Sequence, residues 1–261
     1  MPLIAVGGAP SPRRQIRVVA IAALALLCLA PLPVRAYRPF DSTDADVADA
    51  GELELELGPV GRVREGSSRF LIAPAVIANV GLTNDRELVL EGRAKWPLGA
   101  DAAASSTVIG DTALSLKQIH RRGVLQDQQG PSIASECGVL LAEINGAPGT
   151  GAGCIGILSA RAAWASAHLN VGAFLDREHN WKRVFGLIAE GPFAWRLRPV
   201  AEVVIERVSN GTWSNGVLVG LIWPLRERFV LDVAARAAHT NTATIYEWRA
   251  GFTWAFQIWR R

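Results

Sequence analysis

The sequence predicts an all-β fold, a transmembrane antiparallel up-and-down β-barrel of about 12 strands, and three observations carry that prediction. Large apolar residues recur at every second position over many short segments, which is the period of a strand with two differently solvated faces. Charged residues of both signs fill many of the alternate positions. A secretion signal precedes them, and although half of the residues are hydrophobic, no later apolar run reaches the length of a membrane helix. A helical membrane bundle is therefore excluded. A closed barrel is the other structure that satisfies every backbone hydrogen bond within lipid.

Residues 1–36 read as a signal peptide. Arg13, Arg14 and Arg17 precede an apolar run at 18–29, Pro31 and Pro33 close it, and Val34-Arg35-Ala36 supplies the cleavage site, so the mature chain is predicted to begin at Tyr37. The apolar core is too short, and too soon ended by proline, for an anchor helix. Its removal takes away four arginines and no acid, moving the formal charge from +3 to −1. The basic character thus belongs to the signal. No basic patch speaks for nucleic acid, and no zinc, P-loop or dinucleotide spacing occurs, so neither cofactor nor metal is expected.

Residues 37–50 (YRPFDSTDADVADA) are polar and acid-rich and read as a periplasmic lead-in rather than a packed element; the barrel is predicted over residues 51–261. Its first strand is GELELELG, in which Leu53, Leu55 and Leu57 alternate with Glu52, Glu54 and Glu56. A second, more apolar strand covers 69–80, with Pro74 in an awkward central place. After an Asn-Asp turn at 82–86, Glu87, Val89, Glu91, Arg93 and Lys95 alternate with Leu88, Leu90, Gly92, Ala94 and Trp96. Four charges on one face place that face away from hydrocarbon, so Leu90 is predicted to face lipid and Val89 the lumen. A fourth strand at 111–119 sets Leu114 and Leu116 against Ser115 and Lys117, and a fifth spans 132–144. Beyond the loop NGAPGTGAG, a sixth at 154–164 sets Ser159 and Arg161 against Leu158, Ala160 and Ala162.

Six further segments complete the meander, at 167–174, 183–193, 196–207, 213–223, 228–239 and 246–258. In the ninth strand Arg196, Arg198, Glu202 and Glu206 oppose Leu197, Ala201, Val203 and Ile205; in the eleventh Arg228, Asp232 and Arg236 oppose Phe229, Leu231, Val233 and Ala235. The last, YEWRAGFTWAFQI, is the most regular, with Tyr246, Trp248, Ala250, Phe252, Trp254, Phe256 and Ile258 on one face. About 17 residues fall to each strand and its connection, enough for the roughly nine to eleven that a tilted strand needs to cross a bilayer. Trp96, Trp164, Trp195, Trp223 and Trp248 sit near strand ends, where aromatic girdles meet headgroups.

The candidate lumen-facing residues are Glu52, Glu54, Glu56, Glu91, Arg93, Lys95, Lys117, Arg161, His168, Arg198, Glu202, Asp232, Arg236 and Arg249. Their signs nearly balance, so no strong ion selectivity is expected. They could line a water-filled passage or fill a narrow interior with ion pairs, since twelve strands lie between filled eight-stranded barrels and open porins. Ser166, His168 and Asn170 share a strand face, but three polar residues in line are what any lumen-facing strand shows, and catalysis is not expected. Cys137 and Cys154 flank one hairpin with the parity of its apolar face, and a disulfide is predicted; two free thiols facing lipid are the alternative.

In sequence order, RPFDSTDA followed by GELELELG, LTNDRELVLEG, GDTALSLK and GTGAG resemble the outer-membrane barrels associated with the meta-cleavage pathway of phenol degradation, over roughly residues 38–256. The resemblance implies a twelve-stranded barrel admitting small aromatic or hydrophobic compounds, and no catalytic residues. The chain departs from the usual terminal aromatic residue, since Phe256 is followed by QIWRR. The partners expected are outer-membrane lipid and lipopolysaccharide, the barrel assembly machinery and small solutes. The alternatives are a plugged structural barrel, a membrane-barrel enzyme and a soluble ligand-binding barrel.

Overall fold

The computed structural model describes residues 38–99 and 106–259, so the expected signal peptide at 1–36 and its cleavage point before Tyr37 lie outside the described residues. Twelve strands follow in order: β1 (Glu52–Glu65), β2 (Ser68–Thr83), β3 (Arg86–Pro97), β4 (Val108–Arg121), β5 (Ser132–Leu140), β6 (Gly151–Ala162), β7 (Ala165–Leu175), β8 (Trp181–Glu190), β9 (Arg198–Val208), β10 (Trp213–Arg226), β11 (Phe229–Thr240) and β12 (Thr244–Gln257). Each pairs antiparallel with its neighbour in sequence, and β1 pairs with β12 from Glu52↔Gln257 to Glu65↔Ile245. That last pairing closes the sheet and leaves no unpaired edge.

Every segment expected as a strand is one, and the differences lie in their bounds. GELELELG is the expected first strand, yet β1 runs on to Glu65 through a register shift between Leu57 and Val60. Pro59 cannot donate to a ladder, and a bulge is one of the few places a sheet accepts such a residue. The extra residue resets the parity, so that Val63 points inward after Glu54 and Glu56. Pro74 on β2 sits at a second shift, between Ile72 and Ala75. β5 stops at Leu140 rather than at 144.

The start of β1, the end of β12 and the connections at 84–85, 122–131, 163–164, 191–197 and 227–228 lie at one end of the barrel, here the near end; the opposite ends of the strands form the far end. Between the ends, outward residues such as Leu90, Val171, Leu187, Val219 and Val233 are exposed, whereas a soluble barrel would bury them. All nine tryptophans lie towards one rim or the other: Trp96, Trp181, Trp213 and Trp248 at the far end, and Trp164, Trp195, Trp223, Trp254 and Trp259 at the near end. An apolar band between two aromatic girdles is the exterior of a bilayer-spanning barrel. Cys137 and Cys154 are directly opposed on β5 and β6, 4.1 Å apart at Cα, and their sulfurs are bonded on the outward face.

Candidate functional site

The lumen is where the structure departs most from expectation. Residues 38–50, read as a periplasmic lead-in, fold into the barrel and cross it towards the near end, with Ala45, Val47 and Ala48 buried. The reason is chemical complementarity: an irregular segment inside a barrel must have its backbone groups satisfied, and the inward face of the wall supplies the partners. Glu202 accepts the N–H groups of Asp41 (2.8 Å) and Ser42 (2.7 Å). Asn170 holds Thr43 from both sides, its Oδ1 accepting the Thr43 N–H at 3.2 Å and its Nδ2 donating to the Thr43 carbonyl at 2.8 Å. Ser159 Oγ accepts the N–H of Ala45 (2.9 Å) and Glu87 that of Ala48 (2.6 Å). From the loop between β4 and β5, Gln126 donates to the Ala45 carbonyl at 2.9 Å.

Charge and volume complete the fit. Arg38 pairs with Asp232 at 3.3 Å, Asp41 with Arg249 at 2.8 Å and Arg236 at 2.5 Å, and Lys117 stands 3.7 Å from Asp44 and 3.4 Å from Glu87. Phe40 packs on Val200, Ile222 and Val230, and Ala45 among Leu125, Ala134 and Ile157. The wall is hollowed where the segment passes. A Cβ at Gly58 would meet the Arg38 guanidinium, one at Gly186 the Ser42 side chain, and one at Gly81 the main chain of Ala48 and Asp49. We refer to residues 38–50 as the plug.

Towards the far end the lumen opens into a vestibule of about 760 Å³. β3, β4 and β12 contribute Glu91, Arg93, Lys95, Asp111, Glu247 and Arg249 to it; β6 to β9, across the barrel, contribute Ile155, Phe174, Val184 and Val204 together with Lys182 and Glu206. Arg93 pairs with Asp111, Lys95 with Glu65 at 3.4 Å and Lys182 with Glu206 at 3.3 Å. Glu91 has no ion-pair partner among the described residues. The near balance of charge read along the strands does not hold here, because plug and wall together line the cavity with twelve carboxylates against eight basic side chains.

Of the candidate lumen residues, Glu54, Glu56, Lys117, Glu202, Asp232, Arg236 and Arg249 gather around the plug, and Glu91, Arg93 and Lys95 line the vestibule. Glu52 is at the near rim, 3.7 Å from Arg228. Arg161 and Arg198 flank the ring of Phe193, at 4.2 and 5.1 Å. His168 does not join Ser166 and Asn170. Its Nδ1 lies 2.8 Å from Ser159 Oγ and its Nε2 3.3 Å from Glu190, which pairs with Arg198 at 3.0 Å. A serine, a histidine and a carboxylate in contact suggest a nucleophile and its base. Here Ser159 is wholly buried and its Oγ receives the Ala45 N–H, so the group serves as a latch under the plug.

Sequence reasoning placed Glu87 and Ser159 on the polar faces of their strands without assigning them a partner, and it missed Asn79, which donates to Glu56 at 2.8 Å, and Arg38 and Asp41 on the plug. Glu87 and Ser159 carried the right parity. Residues 38–50 have no periodicity, so nothing local distinguished a solvated lead-in from a packed one.

Neither protein-family models nor characterised protein sequences match this chain. Solved structures do. An outer membrane channel from Pseudomonas putida F1 aligns over 84% of this chain and 100% of its own, at 9% identity and a TM-score of 0.58. The NanC porin aligns over 77% and 98%, at 7% identity and a TM-score of 0.56. The KdgM porin in complex with disordered oligogalacturonate aligns over 78% and 99%, at 11% identity and a TM-score of 0.50. At such identities the likeness shows the fold, a closed 12-stranded antiparallel barrel similar to outer-membrane porins.

Proposed function

We propose that this protein is a bacterial outer-membrane channel that admits small solutes to an external vestibule and is closed towards the periplasm by residues 38–50, the signal peptide having been removed before Tyr37. The observation that carries the reading is the plug itself. A segment held through its backbone by wall side chains, in a barrel with a vestibule of about 760 Å³ above it, is a built closure across a passage rather than core packing. Buried apolar residues would fill a structural barrel more simply, since each buried polar group must be matched by a partner.

Solutes with an apolar body and a polar group suit the vestibule, because Phe174, Ile155 and Val204 lie across the barrel from Glu91, Arg93 and Lys95, while the charges beside them, Lys182 and Glu206, pair with each other. The sequence resemblance to barrels of phenol degradation points the same way. Single-channel recording on purified protein in a planar bilayer tests the reading. Wild type should conduct in brief openings, removal of residues 38–48 should give long ones, and added aromatic solutes should block the current. A plug-deleted barrel that inserts but never conducts would leave the structural-barrel reading in its place.

A further inference from the structure

The outward face of the far end carries two cross-strand arginine pairs. Arg64 on β1 is directly opposite Arg69 on β2, and Arg183 on β8 is directly opposite Arg207 on β9, on separate flanks of the barrel. All four side chains are exposed. Among the described residues none has a carboxylate within 4.0 Å. Like charges directly opposed on one face of a sheet repel, so both pairs call for a counter-charge from outside the chain. The hydrogen bonds they do make use neutral acceptors: Arg64 donates to the Gly66 carbonyl at 3.1 Å, and Arg207 to the Glu206 carbonyl at 2.7 Å and Asn215 Oδ1 at 2.9 Å. At the near end Arg122 and Arg228 have Asp85 and Glu52 within reach, and the exposed Arg86 and Arg226 stand opposite Gln118 and Phe229 rather than a second arginine.

The level of the pairs identifies the counter-charge. Trp181 shares the outward face with Arg183, Arg207 stands over the ring of Trp213 at 5.7 Å, and Arg64 is directly opposite the exposed Tyr246 on β12, so the arginines lie in the aromatic girdle, where headgroups meet the wall. We propose that the two pairs dock the phosphates of lipid A, the lipopolysaccharide anchor of the outer leaflet. A pair of guanidinium forks side by side matches a phosphate bidentately, as ammonium groups do not. The commitment to the outer leaflet rests on the outer-membrane reading above, in which the near end, where β1 begins and β12 ends, faces the periplasm.

Native mass spectrometry of the folded mature protein in detergent tests it, with bisphosphorylated lipid A, dephosphorylated lipid A and phosphatidylglycerol as the three probes. Bisphosphorylated lipid A should give the dominant adduct. The variants R64Q/R69Q and R183Q/R207Q should each remove part of it, and the four changes together roughly tenfold, the loss dephosphorylated lipid A should show on wild type. R86Q/R226Q, which removes two exposed near-rim arginines, should retain it. Equal adducts with dephosphorylated lipid A, a preference for phosphatidylglycerol, or undiminished binding by the quadruple variant would overturn the proposal. The lipid comparison needs no variant, so a folding defect in the quadruple variant does not shelter it. Insertion into lipid vesicles is scored separately: a chain that inserts yet ignores lipid A overturns this inference alone, and one that does not insert overturns the outer-membrane reading with it.

Discussion

Replacing Glu202 with alanine should raise the opening equilibrium of the plug by about two decades. Glu202 is 2% exposed and its two oxygens accept the N–H groups of Asp41 and Ser42 at 2.8 and 2.7 Å. A hydrogen bond to a charged group contributes roughly 1.5–3 kcal/mol, so the pair is worth about 3–6 kcal/mol while the plug is seated. Part of that returns when the freed N–H groups meet water in the open state. A net loss of about 3 kcal/mol at about 1.4 kcal/mol per decade is a factor of ~100. The reporter is Ser42→Cys, with the native cysteines left bridged: position 42 is buried in the closed state, so a water-soluble maleimide labels it in proportion to the open fraction. The double variant S42C/E202A should label ~100-fold faster than S42C, and S42C/E202Q, which keeps one carbonyl acceptor, should fall between. An increase below about threefold would refute the view that Glu202 holds the plug, since even one lost charge-assisted bond predicts more than that.

Gly186→Val should displace the plug without unmaking the barrel, because its side chain would occupy the place of Ser42, whereas Gly156→Val, whose Cβ meets only the Val171 carbonyl at 3.7 Å, should leave conductance unchanged; channel recordings of the two variants decide it. Leu90→Arg puts a charge on the exposed outward face and should cost roughly 2–4 kcal/mol of bilayer folding, measured by denaturant titration in vesicles, and a lipid-phase quencher should reach a label at 90 and not at the buried, inward Val89. With twelve carboxylates to eight basic groups around the vestibule, a salt gradient should give a reversal potential on the cation side, and Glu91→Gln should reduce it. Unreduced, alkylated protein should carry no label on Cys137 or Cys154, and peptide mapping by mass spectrometry reads this directly.

Period-two alternation made the twelve strands legible one by one, because a strand between lipid and a polar interior must place large apolar side chains on every second residue. YEWRAGFTWAFQI and RELVLEGRAKW show their two faces without any neighbour. Even the inward direction of Glu87, Ser159 and Glu202 could be read from parity, since charge in hydrocarbon is too costly to stand on the other face. What alternation cannot carry is what an inward group meets. Glu202, Asn170 and Ser159 lie on three different strands, and Asp41 to Ala45 come from a stretch with no pattern of its own. Only closure of the sheet brings those three side chains around one lumen, and only then does RPFDSTDADVADA have a row of acceptors and donors at the spacing of its backbone. The bulge at Pro59 belongs to the same class: the alternation of GELELELG stops before the proline, and the pairing of β1 with β12 carries the strand past it. The strand pattern is thus a property of each segment against its solvent. The plug, the vestibule and the opposed arginines are properties of register and closure, which set distances between residues far apart in the chain.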